Sequence, residues 1–235
     1  MIKRIIAMML GLSVATIAGA VNDPDSTGRY VKYLDVMTAK TISYYTPDSQ
    51  CFQYTNNPEA NAKITCVALA TDGAYNALPL TAAGDIAVAA NASRSLITVS
   101  MNPVANYYMH GVTGGTSTLY LNAQVKITIE SSVLSDPSLI NPLTGQPFNG
   151  KIETTSQWIY DMRHNEPSGS FQVATKQPFE TTVLSRRGLT SGYGLSATRA
   201  ALVFARPITV KIELLGGMQG SGMLNFFMGA RLFGD

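Results

Sequence analysis

The chain has 235 residues, 17 lysines and arginines against 15 aspartates and glutamates, and only 14% charged side chains. Nucleic-acid binding depends mainly on Lys and Arg contacts to phosphate, so this balance argues against a nucleic-acid partner. The few charged groups also leave little material for acid–base catalysis, and we predict a protein that is not an enzyme and needs no cofactor.

The first twenty residues have the pattern of a signal peptide. Lys3 and Arg4 precede an apolar run over residues 5–17, and the small residues at 18–20 end in Ala20, where a signal peptidase would cut. We therefore expect export to the cell surface or the extracellular space, with the periplasm in transit. The alternative is a retained membrane anchor, but the apolar run is shorter than the ~20 residues that a spanning helix needs. The predicted organisation is a signal peptide over residues 1–20 and a single β-sandwich domain over residues 21–235.

Two cysteines, Cys51 and Cys66, lie in the predicted mature part. In an exported protein such a pair usually forms a disulfide. Neither has another Cys or a His nearby, so a four-ligand metal site cannot be assembled around them. Closing a loop of this length contributes on the order of 3 kcal/mol in the chain-entropy model.

The first half of the chain predicts short strands and loops. Strand-like spacing of apolar and aromatic residues occurs at residues 30–45, 51–54, 63–66 and 95–101. Residues 67–92 are rich in alanine but interrupted by Gly73, Pro79 and Gly84, so short strands and short helical turns both remain open there. Residues 104–118 are predicted to form a loop before the next strand.

The clearest strand covers residues 119–129. Its odd positions are all apolar and its even positions polar or amphipathic, a period of two that gives a strand one buried and one solvated face. Further strands are predicted at residues 151–160, 170–174, 179–184, 202–214 and 223–233. Between them we predict an exposed connection at residues 135–150, a turn at 163–169, a flexible loop at 186–196, and a glycine turn formed by Gly216, Gly217, Gly220 and Gly222.

These elements predict an all-β protein, an antiparallel β-sandwich of immunoglobulin-like or pilin-like type. Candidate site residues are few. Tyr107, Tyr108 and His110 form a candidate ligand loop, because exposed tyrosines can stack on sugar rings. Packing of the paired tyrosines in the core or at a sheet edge is the alternative. Asp161 and His164 are three residues apart, but a polar turn after the preceding strand explains them better than a catalytic dyad does. No metal site is predicted.

The C-terminal segment resembles that of chaperone–usher pilus subunits. In that family the last strand has a glycine fourteen residues from the end, followed by alternating apolar residues. Gly222 stands at that place, and Gly234 replaces the family's penultimate tyrosine. The alternating apolar residues are Leu224, Phe226, Met228, Ala230 and Leu232.

The resemblance implies an exported structural subunit of a cell-surface appendage, with adhesion as a second role. Such a subunit lacks one strand of its sandwich, and an apolar groove lies beside its last strand at the margin of a sheet. A periplasmic chaperone, and then other copies or related subunits, would fill that groove by β-strand addition.

Two other functions stay open from the sequence. A monomeric extracellular carbohydrate-binding module would use the candidate ligand loop. A small outer-membrane β-barrel is the other, because three of the predicted strands reach the 9–11 residues that a tilted spanning strand requires.

Overall fold

The protein is described by a computed structural model that covers residues 32–110, 116–167, 170–176 and 179–235. The predicted signal peptide lies outside these residues. Two large sheets, antiparallel except for one parallel pair of strands, stack face to face around one hydrophobic core, which confirms the predicted all-β sandwich.

The first sheet, sheet A, is built around the last strand of the chain. The strands of sheet A are β1 (Lys32–Tyr45), β2 (Ile64–Ala68), β4 (Leu96–Met101), β5 (Val104–His110), β10 (Ser170–Lys176), β11 (Phe179–Ser185) and β13 (Ser221–Gly234). The last strand, β13, pairs with β1 on one side and with β5 and β4 on the other; β2, β10 and β11 lie outermost.

The second sheet, sheet B, contains the strand that the sequence predicts most clearly. Its order is β3, β12, β6, β9, and the strands are β3 (Tyr75–Val88), β6 (Thr116–Ser131), β9 (Lys151–Pro167) and β12 (Ile208–Gln219). The expected buried face of β6 is confirmed by five side chains that are fully inaccessible to solvent: Leu121, Ala123, Val125, Ile127 and Ile129. The two sheets meet in the core and are joined along one side, where the Tyr44 hydroxyl of β1 donates to the Pro79 carbonyl of β3 at 3.4 Å. Burial raises the pKa of this tyrosine to about 12.

The outer face of sheet B is polar and faces solvent. Lys211 Nζ lies 2.7 Å from Glu130 Oε1, and Lys126 Nζ lies 3.1 Å from Glu153 Oε2. Hydrogen bonds from Lys151 and Lys126 hold the pKa of Glu153 below its usual range. Exposed pairs of this kind contribute only about 0–1 kcal/mol each, so they keep the face soluble more than they stabilise the fold.

Short helices interrupt the strands in the described part of the chain. These are α1 (Pro58–Asn61), a 3₁₀ turn at Ser132–Ser135, a π-helical turn at Gly188–Gly192 and α2 (Ala197–Ala205). The predicted connection over residues 135–150 is confirmed as a strand-poor stretch, which holds only a small hairpin of β7 (Ile140–Asn141) and β8 (Gln146–Pro147).

The prediction furthest from the structure concerns the segment that forms helix α2. The strand predicted over residues 202–214 begins only at Ile208, and the preceding residues are helical. Ser196 caps the helix, its side chain accepting a hydrogen bond from Arg199 N at 3.2 Å. The helix buries Ala200, Val203 and Phe204, whose spacing fits a helix face. The small and apolar residues of this segment fit the period of a helix as well as that of a strand. The capping residue Ser196 is the feature of the sequence that distinguishes the two.

Of the two alternatives left open for residues 67–92, strand is confirmed over most of the segment: β3 occupies Tyr75–Val88, and Pro79 is tolerated because β3 is an edge strand.

Four other predictions are wrong. Residues 104–110 are strand β5 rather than loop, while residues 51–54 are loop rather than strand. Residues 163–167 continue β9 instead of turning. Gly216 and Gly217 lie within β12 rather than in a turn, and Gly220 alone separates β12 from β13.

Candidate subunit-contact site

The C-terminal strand lies in the interior of sheet A, not at its margin. β13 pairs with β1 along its length, from Gly234 opposite Lys32 to Met223 opposite Tyr45. Its other side pairs first with β5 and then with β4. The expected open groove beside this strand is therefore wrong for the isolated chain, because β1 fills the place that the groove would occupy.

The alternating residues of β13 face the core. The following residues, predicted as a subunit-contact strand, are 0–2% exposed: Leu224, Phe226, Met228, Ala230 and Leu232. Phe226 meets Tyr44 edge to face, with ring centroids 6.2 Å apart. Gly222 is the second residue of the strand, and its N–H donates to Thr46 Oγ1 at 2.8 Å. These side chains hold sheet B against sheet A, and any contact of β13 with another subunit must run through its backbone edge.

The disulfide confirms the predicted pairing of Cys51 with Cys66, whose Cα atoms are 5.6 Å apart. It ties the loop after β1 to β2, which runs parallel to β1 with Cys66 opposite Ser43. The loop folds back over the outer face of sheet A. There Phe52 packs edge to face on Phe227 of β13, with centroids 5.8 Å apart, and the Phe52 N–H donates to Ser43 Oγ at 3.0 Å.

We expect Cys51→Ser to lower the free energy of unfolding by about 3 kcal/mol under oxidising conditions, because the loop would no longer be closed in the unfolded chain. Urea titration of the purified, oxidised protein followed by fluorescence would measure this loss. Wild type in reducing buffer is the matched control and should lose a similar amount. Equal stability of the variant and the oxidised wild type would mean that the disulfide does not stabilise the fold.

A bulge divides β1 into two sections with different surroundings. The register with β13 shifts between Met37 and Lys40, so the residues at 38–39 are unpaired there. The second section, residues 40–45, lies between β13 and β2 and is held by the disulfide loop. Thr41 Oγ1 adds a hydrogen bond of 3.1 Å with the Tyr54 hydroxyl.

The first section of β1, residues 32–37, is held more weakly. Among the described residues its only strand partner is β13. Tyr33 and Val36 are 55% and 48% exposed, whereas Met37 is buried and Leu34 is partly buried against the core. Met37 lies over Gly84 of β3, where a Cβ atom would come within 2.6 Å of its sulfur. Two apolar side chains therefore anchor this section.

The far end of β13 is fixed by a carboxylate clasp that the sequence reading missed. Asp235 Oδ1 accepts hydrogen bonds from the backbone N–H groups of Arg94, Ser95 and Leu96 at 2.8–3.1 Å. Its side chain also accepts from the hydroxyls of Ser93 at 2.7 Å and Ser95 at 2.5 Å. Several donors on one carboxylate make strong charge-assisted bonds, so the clasp holds β13 in register with β4.

The candidate ligand loop is a strand. Tyr107 and Tyr108 lie in β5, and Tyr107 is 1% exposed with its hydroxyl donating to the Gln219 carbonyl at 3.2 Å. Tyr107 is thus a core residue, and its predicted role in ligand binding is wrong. Tyr108 is half-buried, and His110 ends the strand. The glycines predicted to complete this loop, Gly114 and Gly115, lie outside the described residues.

The remaining candidate sites are a metal site and the pair Asp161 and His164. Within the described ranges, no three His, Cys, Asp or Glu side chains come together as a metal site. Asp161 and His164 lie in β9, opposite Asn122 and Leu119 of β6, rather than in a turn. Among the described residues no helix has the length and apolar character needed to cross a membrane.

No protein-family model, curated protein or solved structure matches this chain. The geometry of β1, β13 and the residues around them is therefore the basis for the functional proposal.

Proposed function

We propose that the protein is an exported structural subunit of a cell-surface appendage and that copies join by exchanging the first section of β1. The observation that carries this proposal is the contrast between the two sections of β1. Residues 32–37 lie beside β13 with two apolar anchors, whereas residues 40–45 are clamped by β2 and the disulfide loop. The bulge at residues 38–39 is the natural hinge between them.

Release of the first section would open the backbone edge of β13 from Ala230 to Gly234. It would also leave two vacant sites on the core surface, where Leu34 and Met37 sat. A strand with apolar residues at matching positions fits such an edge, because backbone hydrogen bonds give attachment and alternate side chains give register. The first section of another copy has the same sequence, so its Leu34 and Met37 would fill the same two sites.

Exchange of this kind costs little at equilibrium, because the same contacts are broken in one copy and re-formed with the next. A head-to-tail exchange does not close on itself unless the rotation between copies allows it, so it extends into a filament. The partners are therefore other copies or related subunits. A periplasmic chaperone would protect the open edge of β13 before assembly, since unpaired strand edges promote aggregation.

The export step rests on the sequence of residues 1–20 and on the disulfide, which is compatible with an oxidising extracellular compartment. Mass spectrometry of the exported form should give a chain that starts at residue 21. A chain that retains residues 1–20 would contradict cleavage.

The strand exchange is tested by locking the first section in its own chain. Val36 and Arg231 are register partners across β1 and β13 and both are exposed, so Val36→Cys with Arg231→Cys can form a disulfide at that spacing. We expect wild type to form oligomers as its concentration rises, and the oxidised double variant to stay monomeric in analytical ultracentrifugation.

The same double variant in mild reductant is the matched control and should oligomerise like wild type. Oligomers that form equally in the locked variant would contradict exchange through the first section. If wild type stayed monomeric at every concentration when no strand peptide or chaperone is added, the appendage proposal itself would be contradicted.

A further inference from the structure

A cleft of about 550 Å³ opens beside helix α2, at the end of the molecule where β4 begins. Two arginines, Arg94 and Arg186, line it together with Asn91 and Thr198. Its floor is apolar and includes Leu202, which is partly buried against the core. The volume lies within the range of roughly 300–1,000 Å³ that is usual for small-ligand sites.

Both arginines are exposed to solvent. Neither guanidinium has an acidic partner among the residues that the structure describes, in contrast to Arg199, which pairs with Asp136 at 2.8 Å. The Asp235 carboxylate accepts a hydrogen bond from Arg94 N, but Asp235 does not line the cleft. The lining of the cleft therefore contains two basic side chains and no acidic one.

The backbone that carries the arginines is fixed in advance. Arg94 N donates to Asp235 Oδ1 at 3.1 Å, and Arg186 N donates to Ser95 O at 2.9 Å. The second bond continues the β4–β11 ladder by one residue, so the two arginines start from adjacent strands. A backbone that is already ordered loses little conformational entropy when a ligand binds, and this lowers the entropic cost of binding.

We infer that this cleft binds an anionic sugar residue, one that carries a carboxylate or a sulfate. The arginines supply fork-shaped donors that match such groups. The apolar floor fits the non-polar face of a pyranose ring, and the Asn91 amide and Thr198 hydroxyl can bond its hydroxyls. A bare phosphate would leave the apolar floor unused, and an extended peptide needs a longer groove. The inference extends the proposed function, on which it rests for the location of the site at a cell surface.

The test uses a panel of immobilised oligosaccharides that carry sialic acid, a uronic acid or a sulfate, each beside its uncharged parent. We expect wild type to bind at least one charged member at least tenfold more tightly than the parent, with affinity falling as salt rises. Arg94→Ala and Arg186→Ala should each weaken that binding at least tenfold. Arg231→Ala, an exposed arginine outside the cleft, is the matched control and should change it less than twofold.

Equal binding of charged and uncharged members, binding unchanged in both cleft variants, or no binding to any member would overturn the inference. Binding to vesicles of anionic phospholipid in the absence of sugar binding would overturn it too, in favour of a membrane surface. Melting temperatures of the variants should match wild type, because both side chains are exposed. The assay is run on monomeric protein, so failed assembly does not affect it, and the cleft variants should still exchange strands.

Discussion

Phe226→Ala is expected to lower the free energy of unfolding by about 3–5 kcal/mol, the usual cost of removing a buried phenylalanine ring. Phe226 lies at the centre of β13, between β1 and β5, and is 0% exposed. Its ring contacts Tyr44 edge to face, a contact that is lost together with the burial. The surrounding strands are paired on both sides and cannot collapse into the cavity.

Urea unfolding followed by circular dichroism would measure this effect. Phe233→Ala on the same strand is the matched control: Phe233 is half-buried and contacts the exposed Tyr33, with centroids 6.2 Å apart. We expect its loss to be less than half as large. If the two variants were equally stable, β13 would not be the central strand of the core.

Gly216→Ala is expected to lower the free energy of unfolding by about 3–5 kcal/mol or to prevent folding. Gly216 lies in β12 opposite Ala123 of β6, and a Cβ atom there would stand 1.9 Å from the backbone oxygen of Asn122. Its φ of +148° adds backbone strain for any other residue. Strain and overpacking each cost about 1–3 kcal/mol, and here they add, because the obstructing atom belongs to a neighbouring backbone.

Gly229→Ala is the matched control, since it introduces the same methyl group in a strand. The nearest atoms around Gly229 are 3.7 Å from the added Cβ, which is ordinary contact. We expect its stability to stay within about 1 kcal/mol of wild type. Yield in the soluble exported fraction and thermal melting would compare the pair. A Gly216→Ala protein as stable as Gly229→Ala would show that β6 and β12 do not approach as closely as described.

The sequence alone predicted the long strands β6 and β13, whose apolar side chains alternate over about ten residues, but it missed β5. β6 is the best case, because five of its residues face one side at a period of two and all are buried. The disulfide followed from two cysteines in a chain with a predicted export signal. These features are local, and local periodicity and composition are enough to find them.

The sequence could not separate helix from strand where small and apolar residues fit both periods. Residues 197–205 form α2 because Ser196 caps them and because Val203 and Phe204 pack on the core, a contact made by distant parts of the chain. The prediction of Tyr107 as a ligand residue fails for a similar reason. Its burial depends on β13 and Gln219, more than a hundred residues away.

Tertiary structure also decided the candidate sites. The pattern of alternating residues in β13 is the same for an edge strand and a central one, because period two describes faces and says nothing of the two backbone edges. Only pairing with β1, β4 and β5 places it in the interior. The arginine cleft likewise needs Arg94 and Arg186 beside the adjacent ends of β4 and β11, although 91 residues separate them. Residue type and spacing along the chain fix the faces of strands; which edges and side chains meet is fixed by contacts between residues far apart in sequence.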